Sequence, residues 1–347
     1  MSSIAFRTTA GKGIGFGHLR RCLTLAGELA ARGFEPRFWL DGDAAALEVV
    51  RAAGYVPVAV SGEAREPGWS LQQVARERPA ALVADSYALD EAYFRALRPE
   101  VPLLVIDDLA DRTLEADLVQ NGAVDVARLP YRLGANCRTL FGPAYALLRP
   151  SFRDLRRPVA FRTAVERVLV TLGGADPAGH TDAVVRHLLG ALPEGVVIDV
   201  VLGPLFGAAE TLEAFALAHP GRIRLHRALP DLAPLLREAD LAVSAGGQTT
   251  FELAAAGVPA VALELADNQR VLLAGFARAG TLHAVGQAAA PEMGQRLTQA
   301  VARLCQDPAL RRRMSEAGPA LVDGRGAERV AMALIEAVSG VTPARSA

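Results

Sequence analysis

Short apolar runs alternate with longer segments of helical period along this chain, and the alternation occurs twice over. The first run is Ile4-Ala5-Phe6, followed by a Gly-rich loop from Gly11 to Gly17. Next comes HLRRCLTLAGELAARG, in which Leu19, Cys22, Leu23, Leu25, Ala26 and Leu29 recur at the spacing of one helix face. Gly33 then supplies a C-cap. Phe38-Trp39-Leu40, Val56 to Val60, Ala80 to Ala84 and Leu103 to Ile106 are predicted strands. Each is apolar on both faces, as a parallel sheet covered by helices requires.

From Arg149 to Glu166 the pattern breaks into a Pro- and Arg-rich stretch, read as an interdomain connection. It then restarts. Val168-Leu169-Val170, Val196 to Leu202, Ile223 to Leu225, Leu241 to Ser244 and Pro259 to Leu263 are predicted strands, each followed by a helical segment. Helices rich in Ala and Arg fill roughly 290–338. Repeated βα units predict an α/β protein of two Rossmann-like, doubly wound parallel-sheet domains. The expected boundaries are 1–150, a linker at 151–166, a second domain at 167–338, and a frayed tail at 339–347.

Composition narrows the class. At 347 residues and 51% hydrophobic, the chain can build two cores. With 37 basic and 38 acidic side chains the net charge is −1, which argues against nucleic acid or a membrane surface as partner. Cys22, Cys137 and Cys305 lie far apart without metal-ligand spacing, fitting a reducing compartment. The N-terminus lacks a signal-peptide pattern, and no apolar run reaches the roughly 18 residues of a membrane span, so a cytoplasmic location is expected.

Three Gly-rich strand-to-helix turns carry the candidate chemistry. In the first, Gly13-Ile14-Gly15-Phe16-Gly17-His18, the glycines let backbone approach a ligand. The helix that follows offers free N–H groups to an anion or a sugar oxygen. Its GxGxG spacing is a poor dinucleotide fingerprint, with only Asp41 near ribose distance. His18 sits where open α/β sheets bind ligands and is a natural general base for water; capping its own helix is the plainer reading. The second turn is Thr171 to Pro177, with Gly173 and Gly174. The third is Ser244 to Glu252, where Gly246 and Gly247 bring N–H groups toward a diphosphate and Gln248, Thr249 and Thr250 open a helix. Glu252, one turn on, can accept two ribose hydroxyls; a dipole-favoured Glu is the alternative. Asp41-Gly42-Asp43 mimics a metal-binding DxD, but Asp43 is placed as an ordinary N-cap. Asp107-Asp108, after a buried strand, is either structural or substrate-facing. His180, His187, His219, His226 and His283 carry no such context.

These segments resemble a known family. IGFGHLRRCLTLAGELAARG, Asp85-Ser86-Tyr87, IDDLADR (106–112), FGPAYALLRPSF (141–152), TLGGADP, SAGGQTTFE and Asp267-Asn268-Gln269 resemble, in order, the motifs of the PseG nucleotide-sugar hydrolases over about residues 4–285. More distantly, the second half resembles the MurG-type GT-B glycosyltransferases. The resemblance implies a GT-B architecture with two domains facing a cleft. It implies hydrolysis of UDP-2,4-diacetamido-2,4,6-trideoxy-β-L-altropyranose in the pseudaminic acid pathway, without cofactor or metal. It makes His18 the base for the attacking water and puts Tyr87 near the sugar. Glu252 would hold the ribose, and Asn268 and Gln269 would follow on a loop contacting the nucleotide-sugar. Gly15, Gly17, Gly173, Gly174, Gly246, Gly247 and Thr249 complete the expected substrate site. One departure stands out: Arg7 is followed by Thr8-Thr9, where the family usually has an acidic residue.

The chemistry agrees with one base. UDP leaves readily, so backbone donors suffice for the departing charge, and direct attack of water would invert the anomeric centre. Two other readings stay open: a glycosyltransferase using an acceptor hydroxyl in place of water, and a non-catalytic nucleotide-sugar binding module.

Overall fold

The computed structural model describes residues 2–11, 14–60, 67–153, 155, 161–174, 176, 178–203, 206–207, 209–227, 229 and 231–340. The expectations at Gly13, Ala175, Pro177, residues 156–160 and the tail from 341 lie outside the described residues. The chain forms two compact units, one from the segment up to Arg149 with that from Arg325 onward, the other Pro150–Gly324.

In the first unit the strands are β1 (Ser3–Ala10), β2 (Glu35–Gly42), β3 (Pro57–Ala59), β4 (Ala81–Asp85), β5 (Leu103–Ile106), β6 (Thr113–Leu114), β7 (Leu118–Asn121), β8 (Arg132–Leu133) and β9 (Arg138–Phe141). Helices α1 (Gly17–Ala30), α2 (Ala44–Ala52), α3 (Pro67–Glu77) and α4 (Glu91–Leu97) run between them. Seven strands form a parallel sheet in the order β3-β2-β1-β4-β5-β7-β9, and β6 pairs with β8 apart from it. The expected apolar strands are fully covered: every residue of β1, β4 and β5 is buried. Helix α1 forms as its spacing predicts, burying Leu19, Cys22, Leu25, Ala26 and Leu29. Each such large aliphatic contributes about 1.5–3 kcal/mol, which fixes the helix start against the sheet.

The second unit holds β10 (Arg167–Thr171), β11 (Val197–Leu202), β12 (Ile223–Arg227), β13 (Leu241–Ala245), β14 (Ala260–Glu264) and β15 (Leu282–Gln287). They form a parallel sheet in the order β12-β11-β10-β13-β14-β15. Its helices are α5 (His180–Ala191), α6 (Glu210–Ala218), α7 (Ala233–Glu238), α8 (Gln248–Ala255), α9 (Gln269–Arg278), α10 (Met293–Gln306) and α11 (Pro308–Leu321).

The domain boundary at the C-terminal end differs from the sequence reading. Helix α12 (Gly326–Val338), expected in the second domain, belongs to the first unit. Arg138 Nη1 lies 2.7 Å from Glu336 Oε2, and Arg32 Nη2 lies 3.5 Å from Glu328 Oε1. Gly326 sits so close to the Ala146 backbone that any side chain would collide. The apolar stripe Ala327, Val330, Ala331 and Leu334 fits any sheet, so pattern alone does not assign it.

Both sheets have a topological switch point. β1 lies between β2 and β4, and β10 between β11 and β13, so chain connections leave in opposite directions there. That divergence opens a crevice beyond the carboxyl ends of the strands, the general ligand position in such sheets.

Candidate functional site

In the first unit the switch point gathers the end of β1, the start of α1 and the end of β4. Thr8 pairs with Asp85 across the two strands. After β1 the chain makes a tight loop: Gly15 donates to Gly11 O at 2.8 Å, and Gly11 donates back to Gly15 O at 3.1 Å. Gly11 (φ +138°) and Gly15 (φ +86°) both occupy backbone conformations that side chains resist. A Cβ on Gly11 would also approach Asp43 Oδ2 to 2.8 Å. Gly17, by contrast, begins α1 with open space over its Cα. No side chain caps α1, and its first turn holds no acidic residue.

His18 is buried in that first turn and does not cap the helix. Its Nδ1 lies 2.6 Å from Oδ1 of Asp85, the last residue of β4, which is wholly buried. Arg21, one turn further along α1, donates from Nε to Asp85 Oδ2 and from Nη2 to Asp85 Oδ1, both at 2.6 Å. Its Nη1 reaches Asp108 Oδ2 at 3.0 Å. Burial alone would raise the Asp85 carboxyl, but the Arg21 charge, then His18 and the hydrogen bonds, hold it down at about 2. Asp85 is therefore an anion that only accepts. Facing an acceptor, Nδ1 is the ring nitrogen that donates, and Nε2 makes no hydrogen bond among the described residues.

The Tyr87 and His18 rings meet almost at right angles, with centroids 4.5 Å apart, and Tyr87 is 40% exposed. Burial, then the nearby Asp108 carboxylate, raises its phenol, so the hydroxyl stays protonated. Cys22 Sγ stands 3.6 Å from Asp85 Oδ2, and burial first, then Asp85, raises its thiol. The Asp107-Asp108 pair divides in role. Asp107 Oδ2 accepts from Leu109 N at 3.2 Å and Ala110 N at 2.8 Å, closing a turn, while Asp108 faces Arg21.

In the second unit Thr171 of β10 pairs with Ser244 of β13, so both remaining Gly turns open at one switch point. Their helices differ. At α5 the Asp176 carboxylate accepts from His180 N at 3.0 Å and Thr181 N at 2.6 Å, already filling that N-terminus. Gly173 (φ +104°) and Gly174 instead pack their carbonyls against Gly203, where a side chain would collide. Helix α8 has no side-chain cap. Gly246 N donates to Gln269 Oε1 at 3.2 Å and to Leu263 O at 3.3 Å, and Gly247 N to Ala245 O at 3.0 Å, so both glycine N–H groups have partners within the unit. The Thr249 N–H has no hydrogen-bond partner among the described residues. Gln269 also accepts from Leu265 N at 2.8 Å, tying the β14 loop to the β13 loop. Its carbonyl oxygen is thus structural. A Cβ on Gly246 would lie 2.8 Å from both Gln269 Cβ and Leu273 Cγ. Glu252 is buried in the second turn of α8, and Asn268 is exposed at the start of α9.

The expected residues thus fall into two groups. Gly15, Gly17, His18 and Tyr87 gather in the first unit. Gly173, Gly174, Gly246, Gly247, Thr249, Glu252, Asn268 and Gln269 cluster at the second switch point. Arg21 was not singled out from the sequence, Asp85 entered only within the Asp85-Ser86-Tyr87 motif, and Asp108 only as one of a pair of either role. Asp85 had a visible signal, a carboxylate ending a run of buried apolar residues. Asp43 of the DxD-like triplet caps α2 by accepting from Ala46 N at 2.9 Å. Among the described residues, no group of three His, Cys, Asp or Glu gathers as metal ligands, and no helix is long and apolar enough to cross a membrane.

No family model matches the chain. It is 26% identical over 279 residues to an uncharacterised protein of Methanocaldococcus jannaschii, covering 77% of this chain and 56% of that one. It is 24% identical to the spore coat polysaccharide biosynthesis protein SpsG of Bacillus subtilis, over 91% of this chain and 93% of that protein. A UDP-N-acetylglucosamine–N-acetylmuramyl-(pentapeptide) pyrophosphoryl-undecaprenol N-acetylglucosamine transferase of Sorangium cellulosum is 31% identical, over 74% of this chain and 64% of its own length. The chain therefore spans little more than half of the Methanocaldococcus relative and under two thirds of the Sorangium one. Among solved structures, Acinetobacter baumannii MurG superposes with a TM-score of 0.68 at 15% identity, over 97% of this chain and 100% of that one. S. aureus MnaA in complex with UDP gives 0.65 at 15% identity, over 100% and 99%. The chain has two parallel-sheet α/β units and shares the fold of MurG and MnaA.

Proposed function

We propose that this protein is an enzyme acting at the anomeric carbon of a UDP-sugar, with His18 as its base, and that it transfers the sugar to an acceptor hydroxyl. The observation that carries the reading is the Asp85–His18 pair: a buried imidazole at a sheet switch point, Nδ1 held at 2.6 Å by an anion and Nε2 without a hydrogen bond among the described residues. Nε2 takes the proton from the attacking hydroxyl as the new bond to carbon forms. Asp85 accepts from Nδ1–H throughout and stabilises the imidazolium. UDP departs with the bonding electrons and needs no protein acid.

The second unit holds the nucleotide in this reading. Glu252 accepts the ribose hydroxyls, and the uncapped start of α8, with the Thr249 N–H, takes diphosphate charge. Asn268 stands exposed beside this loop as a further contact, and the Gly173-Gly174 turn shapes the same switch point. Support comes from the named activity of the Sorangium relative and from the UDP complex of a protein with the same fold.

Hydrolysis, with water in place of the acceptor, is favoured by one observation of its own. The ordered motifs around His18, Asp85-Ser86-Tyr87 and Ser244 to Glu252 are those that resemble the PseG hydrolases. None of the three curated relatives is named a hydrolase. The test is UDP release from a panel of UDP-sugars in H₂¹⁸O, with and without acceptor sugars. Acceptor-dependent release supports transfer. Release without acceptor, with label in the free sugar, replaces it by hydrolysis. Label in UDP, or no release under any condition, refutes attack at the anomeric carbon.

A further inference from the structure

We propose that Arg21 is a positioning residue for His18: it pins the Asp85 carboxylate beside the imidazole, so that Nδ1 keeps its proton and Nε2 is the nitrogen left bare. Its catalytic meaning rests on the reading of His18 as a base.

The geometry is specific. A guanidinium presents a rigid fork, unlike the point charge of a lysine. Here that fork spans both oxygens of Asp85 at 2.6 Å, and the remaining terminal nitrogen is anchored on Asp108 at 3.0 Å. Asp85 can therefore neither rotate nor withdraw without breaking two charge-assisted bonds. Its Oδ1 stays 2.6 Å from Nδ1. Arg21 Nη2 also lies 3.0 Å from Nδ1, and its second hydrogen can serve a Nδ1 lone pair, but over a longer distance than the 2.6 Å that separates Nδ1 from the carboxylate. With a donor on one side and an anion on the other, a bare Nδ1 would set its lone pair against the carboxylate. A proton on Nδ1 is the arrangement that meets the shorter, charge-assisted contact with Asp85.

The sequence spacing makes the device compact. His18 and Arg21 are three residues apart on α1, so they share one helix face. Asp85 from β4 and Tyr87 just after it meet the His18 ring, while Asp108 after β5 meets Arg21 and Cys22 of α1 meets Asp85. None of these replaces Arg21 on Asp85, since Tyr87 meets the His18 ring and the Cys22 thiol stands 3.6 Å away.

The experiment compares ¹⁵N–¹H spectra of the histidine ring nitrogens in the full chain, without substrate, for wild type, Arg21→Met, Arg21→Lys and Asp108→Asn. Wild-type His18 should give the signature of a single tautomer with its proton on Nδ1. Arg21→Met should add the Nε2–H form. Arg21→Lys should recover only part of the single-tautomer signal, and Asp108→Asn should weaken it less than Arg21→Met. In turnover, Arg21→Met should lower kcat by about 10–100-fold, as expected for a misplaced base, with KM within twofold. An unchanged tautomer in Arg21→Met, or KM rising with kcat unchanged, overturns the proposal. If Arg21→Met does not fold, the Arg21→Lys and Asp108→Asn spectra decide it by the same criterion. The spectra need no turnover, so a tautomer shift without any UDP-sugar activity would refute the proposed reaction while upholding the positioning role.

Discussion

Replacing Asp85 by Asn keeps the size of the side chain and removes its charge. In the wild type its Oδ1 accepts from His18 Nδ1 at 2.6 Å inside a fully buried site. A hydrogen bond to a charged partner contributes about 1.5–3 kcal/mol. Its loss at the moment His18 becomes an imidazolium corresponds to roughly a 10- to 150-fold fall in kcat, at a factor of ten per 1.4 kcal/mol. Arg21 also loses its anionic partner at 2.6 Å while keeping Asp108, so stability falls too. The assay is the initial rate of UDP release at saturating UDP-sugar, with urea unfolding of both proteins measured in parallel. The pH dependence of the unfolding difference is a separate check. Asp85 titrates at about 2 when folded against an ordinary 3.8. A depressed folded value stabilises above the unfolded one, so roughly 2 kcal/mol is present in full above about pH 4 and lost as pH falls toward 2. The two unfolding free energies should converge over that window. A kcat within threefold of wild type, in a folded variant, would refute the role given to Asp85.

Glu252→Ala should weaken UDP binding by tenfold or more while leaving the rate of the bound complex within a few-fold; unchanged affinity by calorimetry would remove the ribose assignment. Activity should persist in EDTA, since the DxD-like Asp43 is spent capping α2; complete loss in chelator, restored by Mg²⁺ or Mn²⁺, would contradict this. Gly246→Ala should cost about 1–3 kcal/mol, because its Cβ would lie 2.8 Å from Gln269 Cβ and Leu273 Cγ; a melting temperature equal to wild type would show that the loop relaxes freely.

The sheet interior was legible because burial on both faces leaves a continuous apolar run. Leu103–Ile106 was bounded to the residue, and most other core strands to within one or two. Strands carrying polar groups were not visible. β7 ends in Gln120 and Asn121, which are buried because Gln120 donates to Tyr145 O at 2.9 Å and Asn121 to the Tyr131 hydroxyl at 2.8 Å. The edge strand β15 shifts its register against β14 between Ala284 and Gly286. The polar groups of β7 are satisfied through partners distant in sequence, which no local pattern reports. The site followed the same division. His18 and the Gly turns have local signatures, whereas the Asp85–Arg21 clamp joins residues 64 apart and exists only after β1 and β4 pair. At the Thr171 to Pro177 turn, too, the decisive contact is one that composition does not report: Asp176 accepts from the first N–H groups of α5.

The most direct test is His18→Ala, with UDP release and UDP binding measured on the same preparation. Loss of a general base should slow release by about 10²–10⁴-fold, with UDP affinity within twofold of wild type. A variant that binds UDP and turns over at close to the wild-type rate would contradict the assignment of His18 as the base on which the proposed reaction depends.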